Sequence, residues 1–305
     1  MSNEMLYNEF INVLDKEDIL IEEPMSKHTS FKIGGPVDFF LLPRTIEQLK
    51  ESIDICKQNH IPYYIMGNGS NLLVKDGGFR GVIIQVYKNL SNLHINGEIV
   101  EAEAGILLST LSKKVCKVEL AGFEFASGIP GTLGGAVCMN AGAYGGEIND
   151  VILSATVIDD KGDIITIEKD DLELGYRTSI IQKNNFIVVS AKLKLKKGNM
   201  NEINAIMDDL TDKRTTKQPL EMPSAGSTFK RPVGHFAGKL IMDAGLRGYR
   251  IGDAQVSEKH CGFIVNLGNA TAKNVLDLIE HIQEEVKSQF QVVLEPEVRI
   301  IGTDE

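Results

Sequence analysis

No apolar run in the 305-residue chain approaches the ~20 residues that a membrane-spanning helix needs, so no helical anchor is expected. No CxxC pair occurs among the four widely spaced cysteines, Cys56, Cys116, Cys138 and Cys261. They read as reduced, mostly buried thiols of a cytoplasmic protein, and no metal site is expected. Basic residues are in deficit, 32 Lys and Arg against 42 Asp and Glu, for a net charge of −10. Such a chain as a whole is not a nucleic-acid binder, and any anionic ligand must be met by a local cluster of cations. The opening MSNEMLYNEF is polar and acidic and lacks the pattern of a signal peptide. Internal repeats and low-complexity tracts are absent as well. What remains, 43% hydrophobic and 24% charged, is the composition of a folded soluble protein of about two domains.

Glycine is concentrated in one stretch. Residues 126–147, ASGIPGTLGGAVCMNAGAYGGE, hold seven: Gly128, Gly131, Gly134, Gly135, Gly142, Gly145 and Gly146. No charge precedes Glu147. Glycine costs a helix or strand interior about 0.5–1 kcal/mol relative to alanine, so an ordinary core element is not expected here. What glycine offers is positive φ and a backbone that something can approach closely. The stretch is either a glycine-rich turn or a backbone surface laid against a flat or phosphorylated ligand.

Along the chain, Asn3 to Ile21 read as a helix with Leu6, Phe10, Val13 and Leu14 on one face. Val37 to Leu42 reads as a strand. Thr45 with Gln48 is a capping-box signature for the helix that follows. Strand-like segments recur at Tyr63–Met66, Leu72–Val74 and Val82–Val86. Asn96-Gly97 and Asp160-Lys161-Gly162 mark two hairpins. Near Lys197 the polar KKGNMNEIN suggests a boundary. Beyond it come helical patterns at 202–216 and 236–244. The clearest helix is 272–290, where Val275, Ile279, Ile282, Val286 and Phe290 form one apolar face.

Two nucleotide signatures are missing. GNGSN, residues 67–71, is not half of a GxGxxG fingerprint, because Leu72 stands where the third glycine belongs and the following LLV reads as a strand. No GxxxxGK[ST] occurs, so a P-loop is excluded. GNGSN is therefore a strand–turn–strand loop, either a tight turn or a site whose glycines, Ser70 and Asn71 bond phosphate oxygens. Two glycine-rich loops together favour an extended ligand carrying a diphosphate.

Six segments in order, PYYIMGNGSNLLVKDGGFRGVII, the 126–147 stretch, GYRTSI, RTTKQP, AGSTFK and LEPEVRIIG, closely resemble the UDP-N-acetylenolpyruvoylglucosamine reductases. These are flavoenzymes of bacterial peptidoglycan precursor synthesis. The resemblance runs from HTSFKIGG to LEPEVRIIG. It implies an α+β fold of the vanillyl-alcohol oxidase type, non-covalent FAD and NADPH as reductant. It implies an FAD-binding domain over 1–197, with two α/β subdomains split near 90. A C-terminal α/β substrate-binding domain would span 198–305, with the strand region 292–305 packing back on the first domain. The substrate is a UDP-sugar enolpyruvyl ether. A cytoplasmic monomer is expected, with no nucleic-acid or membrane partner.

The resemblance also implies roles. Gly67, Asn68, Gly69, Ser70, Asn71 and Leu72 would take the pyrophosphate side of FAD. Ser127, Gly128, Pro130, Gly131, Thr132, Gly134, Gly135, Asn140, Gly142, Ala143 and Tyr144 would line the rest. Arg177 and Glu297 would stabilise the charge left when hydride reaches C3 of the enolpyruvyl group, Glu297 holding or sharing a proton to do so. Ser227 would protonate C2. Lys213, Arg214, Lys217, Lys230 and Arg231 fall within nineteen residues and suit an anionic substrate. Lys217 matches the family best; Lys230, Arg231, His260 and Arg299 are further candidates. Some members carry an insertion whose tyrosine folds over the substrate; the joining segment here has no tyrosine and resembles the shorter type. The competing readings are another FAD oxidoreductase of the same fold and a non-catalytic nucleotide-binding protein.

Overall fold

Thr45 accepts a hydrogen bond from the Gln48 N–H at 3.2 Å, while the Gln48 side chain turns back to the Arg44 N–H at 2.8 Å. The capping signature thus forms, its return bond displaced by one residue. The helix it starts, Ile46–Gln58, buries Leu49, Ile53 and Cys56, spaced so that they share one face. In this computed structural model, which describes residues 2–304, the chain forms two compact units. The first comprises 1–20, 39–68 and 82–214; the second comprises 21–38, 69–81 and 215–305.

Among the described residues, the first unit has two large cores. In one, the helices Asn3–Phe10 and Ile46–Gln58 bury Leu6, Phe10, Leu49 and Ile53 with Phe39, Val82 and Ile84. Tyr63–Met66 lies parallel to Val82–Gln85 there. The other core covers a five-stranded antiparallel sheet ordered Ile164–Glu168, Ile152–Ile158, Ile187–Lys194, Ile99–Glu103, Leu93–Asn96. The helices Leu108–Lys117 and Leu133–Cys138 bury Leu111, Val115, Leu133 and Val137 in it.

In the second unit, the helix Ala272–Phe290 carries the apolar face read from the sequence, and all of that face except half-buried Phe290 is buried. Thr271 and Asn274 form a capping box, and the Asp76 carboxylate accepts from the Ala272 and Lys273 N–H groups at 2.7 and 2.9 Å. An anion there suits the positive end of the helix. The helix packs with the strands Ala254–Val256 and Ile264–Asn266. Arg299–Ile301 runs parallel to Leu72–Val74.

Two expectations change. The first helix ends at Phe10, not Ile21: Val13 and Leu14 lie in a turn, and Ile19–Pro24 is a strand. Burial of Leu14 and Ile19 in the core satisfies the apolar pattern without helix. The stretch 126–147 does contain a regular element, the helix Leu133–Cys138, with both Gly134 and Gly135 inside it. The helix Met200–Lys217 buries Ile203 and Met207 with Cys116, which puts 198–214 in the first unit.

Cys56 is fully buried, and burial pushes its thiol up to about 12. A thiol so far from ionising does not react as a nucleophile. Native alkylation followed by mass spectrometry should leave Cys56 unmodified; labelling at the rate of a free thiol would contradict this packing.

Candidate active site

The two glycine-rich loops meet in the first unit. A Cβ on Gly67 would stand 2.3 Å from Thr132 Oγ1, and Asn68 Nδ2 donates to the Pro130 carbonyl at 3.1 Å. Only a residue without a side chain allows that approach. Gln85 Nε2 fixes the Gly67 carbonyl at 3.1 Å. The glycines of 126–147 divide by cause. Gly134 donates its N–H to Ala104 O at 2.8 Å, and its Cβ would lie 2.8 Å from the Ala104 Cβ. Gly146 faces the Phe125 ring, where a Cβ would come within 2.8 Å. Tyr144 and Gly145, at φ 53° and 89°, turn the short hairpin that pairs Gly142 with Glu147 and Ala143 with Gly146. Gly135 has open space beside it, with only Thr132 Oγ1 within 4 Å of an added Cβ. Part of the stretch thus serves the protein's own packing.

Ser127 Oγ is buried without a hydrogen-bond partner. Beside it, Arg214 lies against Gly128, its Cδ 3.2 Å from where a Cβ would be. Burial depresses the Arg214 pKa, with the Tyr144 charge opposing, and among the described residues no carboxylate pairs with it. A half-buried guanidinium without a carboxylate partner, next to an orphaned hydroxyl, suits an anionic or strongly polar ligand. The sequence grouped Arg214 with the substrate cations; its burial against the glycine-rich stretch could not be read from spacing.

Arg177 is also in this unit. Gly175 and Thr178 exchange backbone hydrogen bonds of 3.1 and 3.3 Å across the turn Tyr176-Arg177. Arg177 has φ 55°, a left-handed backbone uncommon outside glycine. Its guanidinium donates to Gly142 O at 3.2 Å and lies 5.1 Å from the Tyr176 ring centroid.

The second unit brings Ser227, Glu297 and the rest of GNGSN together. The AGSTFK segment is held on both sides: Thr228 N–H donates to Gly262 O and Glu297 N–H to Thr228 O, each at 2.8 Å. Asn71 Nδ2 donates to Glu297 O at 3.1 Å, and Arg299 N–H to Asn71 O at 3.0 Å. Ser227 is exposed and Glu297 half-buried. Sequence reasoning missed Ser30, whose N–H donates to Gly69 O at 3.1 Å and whose hydroxyl donates to Ser224 O at 2.6 Å. Its signal was the HTS before the double glycine. The clustered cations divide between the units. Lys213 and Arg214 fall in the first; Lys217, Lys230 and Arg231 fall in the second. Lys230 pairs with Glu295 at 3.1 Å, Arg231 stacks 3.9 Å from the Phe236 centroid, and Lys217 and Arg299 are exposed.

His260 lies beside that segment, with its Nδ1 accepting from Gly262 N–H at 3.1 Å and its ring edge-on to Phe263. Burial lowers its pKa, partly opposed by its backbone hydrogen bond. The folded state therefore favours the neutral ring. The stabilisation is complete above the unfolded value of about 6.5 and is lost as pH falls from there through the lower folded value. In denaturant titrations the wild type should lose stability relative to H260Q over that window. A difference independent of pH would contradict this.

No group of three or more His, Cys, Asp or Glu is placed to hold a metal ion, and no helix is long and apolar enough to cross a membrane, among the described residues. An α+β chain with two interlocking glycine loops, an orphaned buried hydroxyl and a half-buried cation without a carboxylate partner has the features of a dinucleotide-binding enzyme. Residues 37–168 match the FAD binding domain model, and 218–301 match the C-terminal domain model of UDP-N-acetylenolpyruvoylglucosamine reductase. The alkyldihydroxyacetonephosphate synthase structure, 15% identical with a TM-score of 0.51 over 65% of this chain and 41% of that one, shares the fold, which is of the vanillyl-alcohol oxidase type. The protein is thus an FAD-containing oxidoreductase. The chain belongs to the UDP-N-acetylenolpyruvoylglucosamine reductase family. It is 55% identical to the reductase of Alkaliphilus metalliredigens, covering 99% of both chains. It is also 55% identical to that of Clostridioides difficile, covering 100% of both. The crystal structure of the Thermus caldophilus reductase matches with a TM-score of 0.79 and 35% identity, over 92% of this chain and 97% of that one.

Proposed function

We propose that the protein reduces the enolpyruvyl ether of UDP-N-acetylglucosamine to the lactyl ether, UDP-N-acetylmuramate, with NADPH as reductant, in peptidoglycan precursor synthesis. The observation that carries this reading is the joining of Ser227 and Glu297 to GNGSN through paired backbone. The family match over the whole length supports it.

Bound FAD supplies the hydride that reduces C3 of the enolpyruvyl group. Gly67 to Leu72 and the open positions of 127–144 hold the cofactor. Ser127 Oγ offers it a buried polar atom, and Arg214 a half-buried positive charge. The substrate then carries negative charge on its carboxylate-derived end. Arg177 stabilises that charge through a guanidinium fork that can bond both oxygens. Glu297, holding a proton, adds a second donor. Ser227 delivers the proton to C2. Lys217, Lys230, Arg231, His260 and Arg299 bind the UDP-sugar and its carboxylate. Residues 1–197 hold FAD, and 198–305 contribute most of the substrate contacts. The expectations of a monomeric state and a cytoplasmic location stand with this reading.

Product analysis tests it. Protein, NADPH and the enolpyruvyl substrate should give a product heavier by two hydrogens, with NADPH consumed one for one. NADPH consumption without that product would leave another flavin oxidoreductase as the reading.

A further inference from the structure

Two non-glycine residues with left-handed backbone meet at the turn that carries Arg177. They are Asn140 at φ 43°, bonded to Gly175, and Arg177 itself at φ 55°. Backbone of this kind persists only where the surroundings over-determine it. The surroundings here are polar and specific. Asn140 is 1% exposed. Its Nδ2 donates to Gly175 O at 3.1 Å, and its Oδ1 accepts from Asn149 N–H at 3.0 Å. A carbonyl on one side and an N–H on the other fix the orientation of the amide. Gln182 Nε2 donates to the Arg177 carbonyl at 3.3 Å and to the Cys138 carbonyl at 2.9 Å. Ser179, fully buried, donates to that same Cys138 carbonyl at 2.6 Å. The guanidinium then returns to the glycine-rich stretch at Gly142 O. Two side chains thus tie the Arg177 turn to Cys138 and Asn149, on either side of the loop's second half.

We infer that Asn140 and Gln182 are positioning residues that set where the Arg177 guanidinium stands, and that Asn140 is not a cofactor contact. The resemblance had put Asn140 against FAD, but its buried amide is engaged by Gly175 and Asn149. The inference rests on the reading of Arg177 as the group that meets the developing charge. Displacing such a group by about 1 Å costs on the order of 100-fold in rate. Hydride entry into FAD from NADPH does not involve that charge, so the two half-reactions should separate.

The test uses the FAD-loaded enzyme and the variant Asn140→Asp, which keeps the acceptor for Asn149 and sets a carboxylate oxygen against Gly175 O. N140D should retain FAD and be reduced by NADPH within about threefold of the wild-type rate. Its reoxidation by saturating enolpyruvyl substrate should be about 100-fold slower, with the loss in kcat rather than KM. Reoxidation at the wild-type rate, or loss of FAD from N140D, would overturn the inference. If N140D does not fold, Gln182→Met decides the matter. It removes both Gln182 donor bonds at similar volume and should slow the same half-reaction about tenfold. A wild-type rate there would overturn the inference too. A wild-type enzyme that the substrate fails to reoxidise would instead overturn the proposed function, and this inference with it.

Discussion

Replacing Ser227 with alanine is expected to leave NADPH-driven flavin reduction intact and to slow turnover by about 10²–10⁴-fold, the range of a lost general acid. The backbone at this position does not depend on the hydroxyl. Thr228 is held by Gly262 O on one side and by Glu297 N–H on the other, and its own hydroxyl accepts from Ile264 N–H at 3.1 Å. Ser227 is exposed, and alanine loses only the oxygen. Stability should therefore change little, so a fall in rate reports chemistry rather than misfolding. Stopped-flow absorbance of the flavin separates the two half-reactions. Wild-type reoxidation in S227A would show that another group supplies the proton.

Gly67→Ala is expected to empty the flavin site. Its Cβ would lie 2.3 Å from Thr132 Oγ1 and 3.2 Å from Thr132 Cβ. Thr132 is buried, and a β-branched side chain has little freedom at χ1. Either loop must then shift, at a cost of about 1–3 kcal/mol for overpacking. The shift would break the Asn68 bond to Pro130. Purified G67A should be colourless or nearly so, while the fold survives. Thr132→Ala removes the nearest atom, so G67A/T132A should regain flavin relative to G67A alone. Full flavin content in G67A, or no recovery in the double variant, would contradict this contact as the cause.

Much of this was legible in the sequence because it is local. The apolar period of 272–290 marks the helix Ala272–Phe290 at both ends, and Leu72 after GNGSN rules out a helix start and points to the strand that forms. The site motifs were legible as motifs. What was hidden depends on partners distant in the chain. Gly134 and Gly146 look like ligand-facing glycines until Ala104 and Phe125 are brought against them. Arg214 looks like one cation among five until burial sets it beside Gly128. The first helix was read too long because the apolar residues at 13, 14 and 19 continue a helical period while tertiary packing claims them otherwise. The HTS before the double glycine marks Ser30 but not its bonds, since its partners lie at Gly69 and Ser224.

We propose that one flavin, held by the two glycine loops, passes electrons from NADPH to an enolpyruvyl UDP-sugar. An anaerobic single-turnover experiment tests it most directly. NADPH added to the yellow enzyme should bleach the flavin, and the enolpyruvyl substrate added next should restore the oxidised spectrum without oxygen. A flavin that NADPH bleaches but that this substrate leaves reduced would contradict the account.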